Sequence, residues 1–352
     1  MKKAFITGIT GQDGSYLAEL LLEHGYEVHG LIRKSTALEG ANLENIRHIL
    51  GKLHLHGGDI MDCPCLIRIL NVICPDEIYH LAAQSHVTLS FVMLDYTFQV
   101  NQQGTMNLLQ SIVICGLEKR IRLYNATTSE LFGGTSNETC VLNEGSPFRP
   151  QSPYAISKLS TYWLVQNFKK AHGAYAVNGI LFNHESGRRG SRFVTKRIAR
   201  EAARYAQGNA EFPLTLAGVH MSRDWGHARD YVRGIWLMLQ QDTPEDLVLA
   251  TGEGTTVKQF VEAAYDHVGV ALRWEGCNDR MVAVDESNSK ILVKINPDLR
   301  RAVEVECLLG DSSRARQKLG WKPEISLESM VAEMVDAEFL RLTKDAARAT
   351  AP

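Results

Sequence analysis

A doubly wound α/β fold, with a mostly parallel sheet and a smaller C-terminal substrate-binding domain, is predicted by three features of the chain. Short apolar runs alternate with helical patterns throughout residues 3–170, which is the arrangement a parallel sheet needs. The first run leads straight into a glycine-rich turn and a helix, Gly8-Ile9-Thr10-Gly11-Gln12-Asp13-Gly14-Ser15. Small or polar residues (Gly8, Asp59, Ala82, Thr128) stand where successive runs end, the rim at which open α/β sheets bind their ligands.

The 352 residues are 45% hydrophobic and 22% charged, enough for a sizeable core and a soft prior of two domains. The formal net charge of -2 gives no electrostatic case for nucleic acid or an anionic membrane as partner. The apolar run after Lys2-Lys3 stops at Ile6, short of the roughly 7–15 residues of a secretory signal. No stretch approaches the roughly 20 apolar residues of a membrane span. A soluble, cytoplasmic protein is expected. Seven cysteines at irregular spacing read as free thiols in a reducing compartment. Cys63-Pro64-Cys65 has no second pair at zinc-site spacing, so no metal is expected.

Residues 3–7 read as a buried strand and 15–24 as a helix carrying Leu17, Leu20, Leu21 and Leu22. The glycines between them allow a tight turn and let backbone N–H groups reach a pyrophosphate at the helix N-terminus. The spacing is GxxGxxG, and a plain turn is the alternative reading. A second strand spans 27–32. Sites that prefer NAD place an acid at its end, whereas this chain has Arg33-Lys34-Ser35. Two cations and a hydroxyl suit a 2′-phosphate, so NADP is the expected cofactor. A loop over 34–45 leads to a helix near 43–50 and a strand over 52–56. There Leu53 and Leu55 share one face and His54 and His56 the other, the pattern of a solvated strand edge rather than a metal site. Asp59, at the end of that strand, is placed to reach an adenine. A helix near 63–73 precedes a strand from 77 that exits through Leu81-Ala82-Ala83, small residues that let backbone lie close to a cofactor. One long helix over 97–115 and a strand over 120–126 follow.

The second half alternates less regularly. A strand near 178–182, a polar loop over 183–190, and helices near 193–208, 231–240, 255–270 and 324–342 are expected. Residues 288–296 read as a polar linker and 345–352 as a frayed tail. The domain reading is 1–178 for the dinucleotide half, with segments near 223–250 returning to it. Residues 179–345 then form a mostly substrate-binding, interleaved part, and 346–352 a tail.

The chemistry concentrates between residues 125 and 158. Tyr154 and Lys158 are four apart, so on a helix they share a face. An ammonium near a phenol lowers its pKa and lets it serve as a base. Beside a nicotinamide, such a phenolate takes the proton of a sugar hydroxyl as hydride leaves the same carbon, and Thr128 shares a hydrogen bond with that hydroxyl. An oxidoreductase needs no more. Glu130 is surplus: its carboxylate can remove a proton α to the new carbonyl and then help a neighbouring hydroxyl leave as water. A Tyr-x-x-x-Lys spacing alone is common on helix surfaces, and a solvated turn is the alternative reading of Glu130.

With these residues in view the chain resembles the extended short-chain dehydrogenase/reductase family and, within it, the GDP-mannose 4,6-dehydratases. The likeness rests on Gly8 to Leu17, Ala83-Gln84-Ser85-His86-Val87, Thr128-Ser129-Glu130-Leu131-Phe132-Gly133, Ser152-Pro153-Tyr154-Ala155, Phe182-Asn183-His184-Glu185-Ser186, Arg223-Asp224-Trp225-Gly226-His227-Ala228 and Leu308-Leu309-Gly310-Asp311. The resemblance implies a Rossmann-type fold and conversion of GDP-D-mannose to GDP-4-keto-6-deoxy-D-mannose plus water, by internal hydride transfer from C4 to NADP to C6. Thr128, Glu130, Tyr154 and Lys158 are then catalytic. NADP is held by Gly8, Thr10, Gly11, Gln12, Asp13, Gly14, Arg33, Asp59, Ile60, Leu81, Ala82, Ala83, Gln84, Ser85, Tyr96, Lys158, His184 and Arg189. Ser85, Asn183, Arg223, Arg301 and Glu304 meet the nucleotide sugar. A homo-oligomer, dimer or tetramer, is implied, with the loop after Arg33 at a subunit contact. The chain departs from the family pattern at Gly187, where proline is usual, at Ala217-Gly218-Val219-His220, at Asp298, at Ala302 and in the loop 33–42. A nucleotide-sugar 4-epimerase shares the Tyr/Lys pair but does not need Glu130. A non-enzymatic NADP-binding regulator needs none of the four together. Thymidine- or cytidine-linked glucose dehydratases stay open, because base specificity lies in the departing segments.

Overall fold

The computed structural model describes residues 1–33, 43–134, 141–210, 213–301, 303 and 305–349. The first half runs β1 (Lys3–Thr7), α1 (Gln12–Glu23), β2 (Glu27–Ile32), a 3-10 turn (Glu44–Lys52), β3 (Leu53–Gly57), α2 (Cys63–Ile73), β4 (Glu77–His80), α3 (Val87–Val92), α4 (Leu94–Phe98), α5 (Gly104–Ile114), β5 (Arg122–Ala126), α6 (Pro153–His172) and β6 (Tyr175–Leu181). The second half runs β7 (Asn183–Glu185), α7 (Val194–Ala206), β8 (Leu214–Leu216), β9 (Ser222–His227), α8 (Ala228–Met238), β10 (Leu247–Leu249), β11 (Gly254–Thr256), α9 (Val257–His267), β12 (Leu272–Glu275), β13 (Val282–Asp285), β14 (Ile291–Ile295), β15 (Cys307–Leu308), α10 (Ser313–Leu319) and α11 (Leu327–Ala349).

Among the described residues, seven parallel strands form the main sheet in the order β10-β6-β5-β4-β1-β2-β3. Strand order reverses direction between β1 and β4, and this opens a crevice at their carboxyl ends. Both faces are covered, which is why the strands read as near-continuous apolar runs. On one face Ile6 and Val28 pack with Leu17 and Leu21 of α1 and Ile235 of α8. On the other, Phe5, Ile78 and Leu123 pack with Leu66 of α2 and Leu108 of α5. The second half adds a four-stranded sheet, β12-β13-β14-β8, and a smaller group in which β9 pairs with β7, β11 and β15. Their core joins Trp225, Phe260 and Met334. Among the described residues, no helix is long and apolar enough to cross a membrane.

Several elements differ from the sequence reading, among them β7, which lies in the stretch expected as a polar loop over 183–190. Helix α1 begins at Gln12 rather than Ser15, with Gly11 as an extended N-cap. Gly14 is therefore a packing residue inside the helix: a Cβ there would come to 2.3 Å from the Gly8 carbonyl oxygen. The expected long helix over 97–115 is α4, a π-turn at Gln99–Gln103, and α5. Apolar spacing continues across the π-turn, so periodicity does not reveal it. Residues expected as a linker at 288–296 contain β14, whose Leu292 and Val293 are buried. Five residues with a charged exposed side are too short for alternation to stand out. Helix α11 continues through Ala349, past the expected end at 342.

The histidines on the edge strand form a stack. His29 of β2 stacks on His54, and His29 and His56 approach to 3.0 Å through ring nitrogens, with Glu27 2.8 Å from the other nitrogen of His29. Among the described residues, no group of three or more His, Cys, Asp or Glu side chains has a metal-holding arrangement.

Candidate active site

A cleft of about 1230 Å³ opens over the carboxyl ends of the main-sheet strands. The glycine-rich turn forms one wall. Gly8 has φ +80°, and a Cβ on it would lie 2.9 Å from the Ala82 nitrogen. Only glycine allows the turn to press so close to the exit of β4. No side chain caps α1 at Gly11, so its first-turn N–H groups face the cleft without a side-chain acceptor, the arrangement that binds a pyrophosphate. The residues present therefore fit a dinucleotide.

Asp13 puts a negative charge in this first turn, and His184 neutralises it. Nε2 of His184 lies 2.8 Å from Asp13 Oδ2, while Nδ1 lies 2.8 Å from the Phe182 carbonyl oxygen. Both partners are acceptors, so both ring nitrogens donate and the ring is an imidazolium. Burial opposes its charge, but the Asp13 carboxylate outweighs burial and raises the His184 pKa. Asp13 is likewise lowered: burial pushes it up and His184 more than compensates. Gln12 secures the same corner, donating to the His184 carbonyl oxygen at 3.0 Å and accepting from Ser186 Oγ at 2.9 Å.

Arg33, at the end of β2, is exposed on the cleft rim and donates to Tyr96 Oη at 2.9 Å. Its expected companions Lys34 and Ser35, and the loop 34–42 expected at a subunit contact, lie outside the described residues. Thr10, Asp59, Ile60, Leu81, Ala82, Ala83, Ser85 and Arg189 line the cleft with the glycine turn. Gln84 does not. Its amide turns behind the wall, donating to Thr97 Oγ1 at 3.0 Å and accepting from the His86 N–H at 2.6 Å.

Thr128, Glu130, Tyr154 and Lys158 all line the same cleft. Thr128 caps a single 3-10 turn, Ser129–Phe132, by accepting the Glu130 N–H at 3.2 Å. The turn ends at Gly133, whose φ is +74° and whose Cβ would fall 1.8 Å from the Arg149 carbonyl oxygen. This geometry buries Glu130 to 8% exposure. Helix α6 starts where Ser152 accepts the Ala155 N–H at 3.1 Å and Pro153 occupies the first turn. That start sets Tyr154 and Lys158 on the cleft-facing side.

The expected effect of Lys158 on Tyr154 is corrected by the structure. Burial pushes the phenol up to about 12, and the strongest downward influence is a hydrogen bond with the Thr128 hydroxyl. Lys158 instead donates from Nζ to the Ala126 carbonyl oxygen at 2.9 Å, and burial lowers its own pKa to about 8.

Of the residues expected at the nucleotide sugar, Ser85, Asn183, Arg223 and Arg301 line the cleft; Glu304 lies outside the described residues. Asn183 Oδ1 is buried without a hydrogen-bond partner among the described residues, an acceptor available to a ligand donor. Arg223 is buried and donates to the carbonyl oxygens of Val305 at 2.7 Å and Glu306 at 3.2 Å. Sequence reasoning did not single out Asn45, Arg192, Arg197, Met221, Val257 or Leu299, which also line the cleft. Arg192 and Arg197 sit in a basic run that reads as a solvated helix face; the others carry no local signal.

A doubly wound parallel sheet with a glycine turn at β1 and a Thr/Tyr/Lys set past β5 defines the class of short-chain dehydrogenase/reductases. Solved structures share the fold. DesIV, a dTDP-glucose 4,6-dehydratase from Streptomyces venezuelae, matches with a TM-score of 0.80 over 98% of each chain at 24% identity. A UDP-glucose 4-epimerase from Thermus thermophilus matches with a TM-score of 0.79 over 96% of this chain and 98% of that one, at 23% identity. The family described as GDP-mannose 4,6 dehydratase matches residues 5–334. The GDP-mannose 4,6 dehydratase of Homo sapiens is 47% identical over 97% of this chain and 93% of its own length. That of Vibrio cholerae is 48% identical over 95% of this chain and 93% of its own. The chain belongs to the GDP-mannose 4,6-dehydratase family.

Proposed function

We propose that the protein is an NADP-dependent hydro-lyase that converts GDP-D-mannose to GDP-4-keto-6-deoxy-D-mannose and water. The observation that carries this reading is Glu130: a buried carboxylate two residues past Thr128, in the same cleft as Tyr154 and Lys158. The relatives named for this activity support it along almost the whole chain.

A bound nicotinamide dinucleotide supplies the hydride acceptor and donor. Gly8 to Gly14 hold its pyrophosphate, and Arg33 favours the 2′-phosphate of NADP over NAD. Thr128 orients the C4 hydroxyl of the sugar. Tyr154 takes that hydroxyl's proton, helped by the Thr128 hydrogen bond and the Arg189 charge, both of which favour the phenolate. Glu130 removes the C5 proton, made acidic by the neighbouring ketone, and delivers it to the departing C6 hydroxyl, which leaves as water. Tyr154 then returns its proton to C5 as the hydride taken from C4 is placed on C6. Lys158 holds Tyr154's helix against the end of β5. Asn183, Arg223 and Arg301 face the nucleotide sugar.

We also infer a homo-oligomer. Ile114 of α5 and Ile156 and Trp163 of α6 are exposed on adjacent helices, Trp163 by 59%, and apolar groups of that size favour cover. Free thiols among the described residues support a cytoplasmic location.

The test is turnover of GDP-mannose with NADP at trace level. Many equivalents of keto sugar per NADP support the reading; a requirement for stoichiometric NADP overturns it.

A further inference from the structure

Glu333 projects from the last helix, α11, into a junction outside the cleft. Its Oε1 accepts from the Tyr16 hydroxyl at 3.1 Å and from the Gly187 N–H at 3.3 Å. Its Oε2 lies 3.1 Å from His227 Nε2 and 3.9 Å from the Arg229 guanidinium. His227 is fully buried, and its Nδ1 accepts the Arg229 N–H at 3.0 Å. The ring proton is therefore on Nε2 and points at Glu333. One carboxylate thus joins α1, the turn after β7, the start of α8 and α11. Burial pushes this carboxyl up, but the His227 hydrogen bond and the surrounding charge outweigh it and hold it at about 2.

The turn after β7 is what these contacts fix. Ser186 Oγ accepts the Arg188 N–H at 3.0 Å, and the Ser186 carbonyl accepts the Arg189 N–H at 3.0 Å. Arg188 lies 3.9 Å over the Tyr16 ring and pairs with Glu19 of α1 at 2.5 Å. Gly187 fits flat against α11, where a Cβ would come to 2.9 Å from Ala337 Cβ. The residue at 187 must keep its N–H for the bond to Glu333, and proline has none. Beyond the turn, Arg189 enters the cleft, ion-paired with Glu185 Oε2 at 2.9 Å, with its charge felt by Tyr154 and Asp13.

We propose that Glu333 is a positioning residue for the dinucleotide cleft: it braces the Ser186–Arg189 turn against α1 and so sets where Arg189 and the glycine-turn helix stand. The cofactor part of this inference rests on the function proposed above; the bracing part does not.

Glu333→Gln is the discriminating variant. Its amide NH₂ must face either Tyr16 Oη–H and the Gly187 N–H or His227 Nε2–H, so donor meets donor. Asp230→Asn is the control. Asp230 Oδ2 accepts the N–H groups of Glu324 and Ile325 at 2.9 Å, anchoring the segment before α11 away from the turn. Three quantities are measured on each full-length protein: melting temperature, amide exchange over residues 186–189, and NADP affinity by equilibrium titration. Glu333→Gln is expected to speed exchange at the turn and weaken NADP binding by roughly tenfold, the scale of a lost charged hydrogen bond, with kcat at saturating NADP kept. Asp230→Asn is expected to lower the melting temperature without either change. Unchanged exchange in Glu333→Gln, or the same losses in Asp230→Asn, overturns the proposal. If the unsubstituted protein takes up no NADP, the proposed function fails, and exchange at the turn still decides the bracing.

Discussion

The Glu130 carboxylate lies 3.8 Å from the Arg301 guanidinium, the two reaching each other across the cleft from the turn after β5 and the segment before β15. The pair holds a carboxylate at the centre of a dehydrogenase-type site. Glu130→Gln keeps the shape and removes the proposed base. Loss of a placed general base costs about 10²–10⁴-fold in rate, so keto-sugar formation should fall by that factor. NADP affinity, measured by titration, should be unchanged, because the role proposed for Glu130 is on the sugar.

Under the proposed function, cofactor choice rests on Arg33. A guanidinium on the rim recognises a phosphate and does little for a hydroxyl. Arg33→Ala should weaken NADP binding by roughly tenfold or more and leave NAD binding nearly as it is. Parallel titrations with the two dinucleotides measure the ratio.

Lys158 carries a pH signature. Its folded pKa of about 8 lies below the ordinary lysine value of 10.5 because burial disfavours the ammonium. Between those values the unfolded chain binds more protons than the folded one, so stability rises with pH across the window. Relative to Lys158→Met, the unfolding free energy of the unsubstituted protein should climb by up to roughly 3 kcal/mol from pH 8 to 10.5. Denaturant titrations of both proteins at several pH values isolate this group, since other titrations cancel in the difference.

Gly133 ends the turn that places Thr128 and Glu130. Its positive φ and the 1.8 Å approach of a Cβ to the Arg149 carbonyl oxygen leave no room for alanine. Gly133→Ala should cost about 2 kcal/mol or more in stability. Activity should fall further than stability explains, because the turn carrying Glu130 must move. Chemical denaturation and rate measurements on the folded fraction separate the two effects.

The strands up to β6 were legible because a parallel sheet covered on both faces writes each strand as an apolar run, and the glycine turn marks where the first one ends. The grouping of Thr128, Glu130, Tyr154 and Lys158 was legible from helix spacing and rim position. The burial of Glu130 was not, since it depends on Gly133 closing against Arg149, 16 residues later in the chain. The bond from Lys158 to the Ala126 carbonyl was equally hidden, because sequence offers no view of which acceptor a buried ammonium finds. Gln84 sits inside a motif that reads as cleft wall, yet its amide serves the loop behind. Long-range contacts were the least legible: Tyr16 and Glu333 meet across 317 positions, and nothing local at either residue announces the other.

The central claim is that this cleft moves hydride within one sugar while Glu130 drives out water. GDP-mannose carrying deuterium at C4 tests it most directly, with the keto-sugar product read by NMR and mass spectrometry. The account predicts deuterium at C6 of the product, with NADP unchanged in amount after many turnovers. Deuterium retained at C4, lost to solvent, or accumulated in reduced cofactor would contradict it.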